Sequence, residues 1–502
     1  MPSIVDLLYL GTAAAEARPW PRAMIDSEGW KFAIDQLATG RWSMTAFWGE
    51  ASMVHMALRD EASGDFGMIS LACPEGAFPS VGLRHPPARR FERTIRDLWG
   101  LAPIDAPDER PWLDHGKWDR LATSAGGQKK SGETPYAFLP AEGESLHEVA
   151  VGPVHAGIIE PGHFRFTAAG ETVVRLEERL GYVHKGVESL MAGADIETGL
   201  TLAERISGDS AAAYALAYSR SVEAALGLAP PPRADWLRAL ALELERVANH
   251  LGDFGAVCND AAFALIHAHT ALLREKVLRA AEVAFASRLL RGIIAPGGVC
   301  ADPSAAALSG LALLADEIER RLALLVEVYE ETSSLQDRTV ATGKVSLRLI
   351  REFAAGGYVG RASGREFDAR RAFPFAPYDA LAFEIPTLSA GDVDARVRIR
   401  IMEIGQSLSL IRRIVADLPA GGIRANAPSG RGGEGAAMVE GFRGEVFAWL
   451  RLSSDGRIER CHMRDPSWLQ WPLLEAAIEG NIIADFPLCN KSFNCSYSGH
   501  DL

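Results

Sequence analysis

The 502-residue chain lacks any run of roughly 20 consecutive apolar residues, so no segment is expected to cross a bilayer as a helix. Cysteine is scarce. The six residues Cys73, Cys258, Cys300, Cys461, Cys489 and Cys495 are scattered without a compact framework, which argues against a disulfide-stapled secreted fold and fits a reducing compartment. Excess positive charge is missing too: 52 Lys and Arg stand against 65 Asp and Glu, a net charge of -13. That balance argues against a nucleic-acid partner and against a polybasic membrane anchor. The opening residues Met1 to Asp6 carry neither the basic stretch nor the long apolar stretch of a secretory signal. A cytoplasmic chain is expected, reaching a membrane only through other subunits.

What is present is enough apolar residue, 48%, to build two or three domains with sizeable cores. Residues 1–122 read as a small α+β domain. Trp42 to Leu58 and Gly67 to Ala72 are rich in aromatic and β-favouring residues and read as strands, and Phe91 to Trp99 reads as a helix stopped by Gly100. Residues 123–147 have the Gly, Ser and charged composition of a linker. Residues 148–502 are mainly helical with small β elements. Apolar residues recur at steps of three and four in Leu237, Leu240, Leu244, Val247 and Leu251, then in Leu311, Leu314, Ile318, Leu322 and Leu325. Ile401, Ile404, Leu408, Ile411 and Val415 form a third such stripe. Each is the buried face of a long helix, and several together make a bundle. Gly444 to Leu452 and Arg457 to Met463, joined through Asp455-Gly456, read as a hairpin.

Several stretches carry residues able to do chemistry. Gly152 to Phe166 holds His155, Glu160 and His163 among Gly and Pro, a polar loop between strands; its residue types fit proton handling in a cleft and solvated loop positions alike. In Gly181-Tyr-Val-His-Lys-Gly-Val-Glu188, His184 and Glu188 are four apart and would share a face on a helix. Arg205-Ile-Ser-Gly-Asp-Ser210 and the tail Asp485 to Leu502 are dense in small polar residues. Tyr358 to Asp379 places Arg361, Asp368, Arg370 and Arg371 in a Gly-rich stretch, suited to a buried salt-bridge network.

Taken together, these segments resemble the large subunit of group 4 nickel-iron hydrogenases, of the formate hydrogenlyase type, and the fused 30 kDa and 49 kDa subunits of complex I. The resemblance runs over residues 91–502 with short gaps. Its most specific part is Gly360-Arg-Ala-Ser-Gly364 with Asp368-x-Arg370 and Pro377-Tyr378. It implies that Glu160 matches a proton-passing carboxylate beside the active site and His155 a histidine of the loop closing the quinone cavity. Arg205 precedes the first ligand pair. His184, Arg361 and Asp368 are implied to line the cavity or to support it.

A nickel-iron centre needs four thiolates, supplied in this family by two Cys-x-x-Cys pairs. The positions that match them are Ser207, Ser210, Ser496 and Gly499, so no metal is expected in this chain. A family tyrosine that binds quinone falls at Gly208. The resemblance implies an iron-sulfur partner like the complex I 20 kDa protein, antiporter-like membrane subunits, and no cofactor here unless a quinone enters. The expected function is that of a subunit of a complex I-related oxidoreductase on the cytoplasmic face of the inner membrane. A non-catalytic scaffold is the alternative, followed by a quinone-reducing subunit or a working hydrogenase.

Overall fold

In the computed structural model, which describes residues 3–14, 17–115, 118, 136–426 and 431–502, the aromatic-rich run beginning at Trp42 folds as a hairpin. Strands Trp42–Glu50 and Met53–Asp60 pair antiparallel, with Glu50 opposite Met53. Phe66–Ala72 joins antiparallel, Arg22–Ile25 parallel, and Thr12–Ala13 closes a five-stranded sheet. Trp42–Glu50 is buried along its whole length. Alternate side chains therefore enter two different cores. Trp42, Met44 and Phe47 pack with the helices Ser27–Ala38 and Arg89–Trp99, whereas Ala46 and Trp48 pack against a second sheet through Met438, Phe447 and Trp449. Arg89–Trp99 ends at Gly100 in the left-handed conformation, φ 71°, which a Cβ would strain.

Of the expected linker 123–147, residues 123–135 lie outside the described residues. Leu146–Val151, His163–Ala169 and Thr172–Arg179 then form a three-stranded antiparallel sheet, so residues 152–162 are the expected loop between strands. The long helices follow: Ala211–Leu226, Pro232–Asp260, Ala264–Phe285, Ala305–Glu331 and Val393–Asp417. Their apolar stripes face one another. Leu237, Leu240, Leu244, Val247 and Leu251 are all buried, as are Leu311, Ile318, Leu322, Leu325, Ile404, Leu408 and Ile411, each contributing about 1.5–3 kcal/mol of transfer free energy. Leu314, Ile401 and Val415 lie half-buried at the margins of their stripes.

Gly433–Glu440, Glu445–Leu452 and Ile458–Arg464 form the second sheet, and Ala17–Arg18 adds to its edge in parallel. Helix Ala211–Leu226 crosses this sheet closely enough that a Cβ on Gly435 would stand 1.9 Å from the Ser221 carbonyl oxygen. Only glycine permits that approach. The molecule is thus α+β, and one hydrophobic cluster runs from Ile4 and Trp30 through Phe164 to Trp468 and Phe493, spanning its two ends. Among the described residues no helix is long and apolar enough to cross a membrane.

Candidate functional site

Helix Ile196–Ala203 gives way to a turn in which the Ser210 N–H donates to the Ser207 carbonyl at 3.1 Å, and helix Ala211–Leu226 starts directly after it. The tail reaches this turn from the far end of the chain. Phe486–Phe493 packs in the core, and Tyr497–Asp501 is a short helix capped by the Ser496 side chain. Phe486, Leu488, Phe493 and Tyr497 are buried, which holds the tail in place.

Ser207 and Ser496 meet there, Oγ to Oγ at 2.8 Å. Ser207 Oγ is also 2.9 Å from Asp209 Oδ1, and the Gly499 N–H donates to Ser496 Oγ at 2.9 Å. Asp209 is clamped by Arg443 through contacts of 2.7 and 2.6 Å, and Ser210 Oγ lies 3.2 Å from both partners. Burial alone would raise the Asp209 carboxyl, but the Arg443 guanidinium and the two serine hydroxyls outweigh it and hold it well below the usual range. An ionised Asp209 only accepts, which orients the donors: Gly499 N–H to Ser496, Ser496 to Ser207, Ser207 to Asp209.

Gly499 has no room for a side chain. A Cβ there would meet Asp465 Oδ2 at 2.5 Å, its Cγ at 2.7 Å and Ser496 Oγ at 2.9 Å. Asp465 is fixed by the Tyr214 hydroxyl at 2.5 Å and the Ser467 N–H at 2.7 Å. Beside the turn, Glu245 accepts the first free N–H groups of helix Ala211–Leu226, those of Ala212 and Ala213, at 2.7 and 3.2 Å. Burial nonetheless pushes its carboxyl up to about 8. A cavity of about 180 Å³ opens next to Gly208, Asp209, Glu245, Asn249 and Arg274, and neither Ser207 nor Ser496 lines it.

Of the other residues singled out in the sequence, His155 and Glu160 come to the tail. His155 Nε2 is 3.4 Å from the Tyr497 hydroxyl, and Glu160 accepts from the Ser498 N–H at 2.9 Å. Partial burial lowers the His155 pKa. The exposed Arg205 side chain donates to the Thr201 carbonyl at 3.2 Å. His163 opens its strand and lies against Phe138.

The helical pairing expected of His184 with Glu188 does not form. Gly186, at φ 67°, interrupts the backbone, and the helix begins only at Val187. His184 Nδ1 bonds the Asp501 carbonyl at 2.7 Å, while Glu188 pairs with Arg460 and His462, each at 2.7 Å.

Arg361 and Asp368 lie in a buried ionic network. Arg361 contacts Glu403 at 2.8 Å, Glu440 at 2.9 Å and Asp368 at 3.5 Å; Arg370 joins Asp368 at 2.7 Å and Glu243 at 2.9 Å. His250 adds a 2.8 Å contact to Glu403.

Comparison with known proteins places this geometry. Residues 263–432 match the family described as respiratory-chain NADH dehydrogenase, 49 Kd subunit. Formate hydrogenlyase subunit 5 of Escherichia coli (strain K12) is 31% identical over 453 residues, covering 84% of this chain and 77% of that protein. The chain belongs to the group 4 hydrogenase and complex I large-subunit family. The carbon monoxide-induced hydrogenase of Rhodospirillum rubrum is 31% identical over 352 residues, 70% of this chain and 98% of its own. An NADH-quinone oxidoreductase subunit from Dehalococcoides mccartyi is 30% identical over 347 residues, 67% of this chain and 92% of its own.

Ser207, Ser210, Ser496 and Gly499, the positions expected from the resemblance to match the family's ligands, do not fit a nickel-iron centre. Two of them are tied by a direct hydrogen bond, none offers a thiolate, and the fourth has its side-chain space taken by Asp465. Cys489 and Cys495 are buried and unpaired, and burial pushes both thiols up, away from the thiolate form a metal requires. Among the described residues no group of three His, Cys, Asp or Glu could hold a metal ion. Sequence reasoning did not reach Asp465, Arg443 or Glu245. The one local signal was Asp209, a charge set between Ser207 and Ser210 just before a long apolar helix.

Proposed function

We propose that this chain is the large subunit of a membrane-associated, complex I-related oxidoreductase that works without a nickel-iron centre. It docks an iron-sulfur subunit and couples that subunit's electron transfer to ion translocation by antiporter-like partners. Attachment is peripheral, on the cytoplasmic face of the membrane. The observation that carries the reading is the Ser207 to Ser496 hydrogen bond with Asp465 against Gly499: the ligand positions converge but are closed by the protein itself.

The loop 152–162 supports the docking role. Val154, Ile158 and Ile159 are 80%, 97% and 44% exposed, an apolar surface directly over the tail that carries Ser496. A scaffold without its own substrate is the second reading, and the closed serine cluster favours it over a quinone-reducing site.

Purifying the native assembly tests the proposal. Metal analysis is expected to return iron but no stoichiometric nickel, and mass spectrometry to identify an iron-sulfur chain and membrane subunits. About one nickel per large subunit, or a chain isolated from native membranes alone and monomeric, would overturn it.

A further inference from the structure

The cavity of about 180 Å³ beside the serine turn runs between helices Pro232–Asp260 and Ala264–Phe285 and is closed by residues 288–290. Its apolar part is built by Leu244, Ala248, Val277, Leu278, Ala281 and Leu290, all buried. Gly208, which is exposed, lines it as well. The volume falls below the roughly 300–1,000 Å³ of pockets that hold drug-sized ligands, so it suits a body of a few carbon atoms.

Every charged lining residue but one is already answered inside the protein. Asp209 is paired with Arg443, and Arg288 donates to Glu275 at 2.9 Å. Glu245 accepts the Ala212 and Ala213 N–H groups, and with its carboxyl pushed up to about 8 it stands uncharged at neutral pH. The exception is Arg274. It makes no hydrogen bond or ion pair with any described residue, and its guanidinium nitrogens remain accessible. Its place is prepared by the facing helix, where Gly252 follows Ala248 by one turn: a Cβ there would meet Arg274 Cδ at 3.1 Å and Nε at 3.3 Å. Glycine inside a helix costs stability relative to alanine, and here it leaves the room in which the arginine lies. A second free guanidinium stands alongside. Arg291 is exposed, has no hydrogen-bond or ion-pair partner among the described residues, and brings Nη2 within 3.0 Å of where a Cβ on Gly208 would stand. Two cations are thus unanswered at one apolar cavity, in a chain whose net charge is -13.

We propose that this cavity binds a small amphipathic anion, a monocarboxylic acid with a short hydrocarbon body. The carboxylate pairs with Arg274, whose planar guanidinium offers two parallel donors, and Arg291 adds positive charge at the edge. The hydrocarbon part covers the Leu, Val and Ala floor. A cation meets no free carboxylate there, a neutral body leaves Arg274 without a partner, and phosphate or sulfate brings nothing apolar to the floor. Because the lining comes from the serine turn and from two long helices, a ligand held there stabilises the folded protein through linkage. The assignment uses neither the Ser207 to Ser496 bond nor loop 152–162, so it stands or falls separately from the proposed function.

Calorimetric titration of the purified full chain with butyrate, butan-1-ol, butylamine and inorganic phosphate, at neutral pH and low ionic strength, tests the assignment. Saturable one-to-one binding of butyrate is expected, about tenfold or more tighter than any of the other three, together with a raised Tm. Arg274→Gln removes a charge that has no partner among the described residues, so folding is retained. Butyrate is expected to weaken in it by about tenfold or more while butan-1-ol is unchanged. Gly252→Ala crowds the arginine stem without altering its charge and is expected to weaken butyrate by about threefold. Absence of saturable binding at millimolar butyrate, phosphate or butan-1-ol bound as tightly as butyrate, or butyrate affinity unchanged in Arg274→Gln would overturn the proposal.

Discussion

The serine cluster and the Arg361 network sit in the same family framework, but they have been treated differently by this sequence. At the network the charged residues of the family motif are present and answered: Arg361 meets three carboxylates and Arg370 two, all buried. At the cluster, where the resemblance leads one to expect ligands, small hydroxyls and a glycine are joined by a chain of hydrogen bonds ending on Asp209 and Arg443. A buried charge cannot be dropped one residue at a time without stranding its partner. The comparison separates a network of mutually answered buried charges from a cluster of neutral hydroxyls tied to one ion pair.

The strongest way to break this contrast is to strand a charge. Arg361→Met leaves Glu403, Glu440 and Asp368 facing one another in the core, and should destabilise by about 3–5 kcal/mol. Denaturant unfolding, or loss of soluble expression rescued in part by Arg361→Lys, reads the effect. If Arg361→Met unfolds at the wild-type midpoint, the network is not the structural element described.

A smaller effect is expected at the cluster. Gly499→Cys drives a Cβ to within 2.5 Å of Asp465 Oδ2 and should destabilise by about 1–3 kcal/mol. Pairing it with Asp465→Ala should recover part of that loss, and a double-mutant cycle measures how much. Additive effects of the two changes would show that Asp465 is not what fills the position. The same variant carrying Cys at 207, 210 and 496 as well should still bind no nickel unless Asp465 is also shortened, which elemental analysis checks.

Weaker again is the removal of one hydroxyl. Ser207→Ala deletes the 2.9 Å bond to Asp209 and the 2.8 Å bond to Ser496, while Arg443 keeps Asp209 paired, so about 0.5–1.5 kcal/mol is expected. Thermal unfolding of the Ala variant reads it. A loss as large as that at Arg361 would mean that the cluster, too, carries the fold.

Much of this architecture was legible because helices advertise themselves. The stripes ending at Leu251, Leu325 and Val415 place three helices, since a 3.6-residue period leaves few alternatives. Trp42 to Leu58 was legible as strand from its composition, yet its alternation is blurred because both faces are buried, one against helices and one against a sheet from the far end of the chain. The cluster was legible only in part. Ser207 and Ser496 stood out as substitutions, but Asp465 and Arg443 reach Gly499 and Asp209 from other parts of the chain, and no local pattern encodes such contacts. The pairing of His184 with Glu188 fails because a four-residue spacing implies a shared face only where the helix is continuous, and Gly186 breaks it.

The smallest effect on stability belongs to the surface of loop 152–162, which sharpens the comparison from outside. Ile158 is 97% exposed and touches neither the network nor the serines, so Ile158→Glu should leave stability within about 0.5 kcal/mol of the parent. Its consequence is expected in assembly instead. A carboxylate placed in an apolar contact would have to be desolvated without a partner, which costs more than a lost methyl. Affinity purification of the Ile158→Glu chain from native membranes should therefore lose the iron-sulfur subunit while its melting temperature stays put. Retention of that subunit at parental yield would move the docking surface off this loop, and a fall in melting temperature would show that the loop is packed more tightly than its exposure indicates.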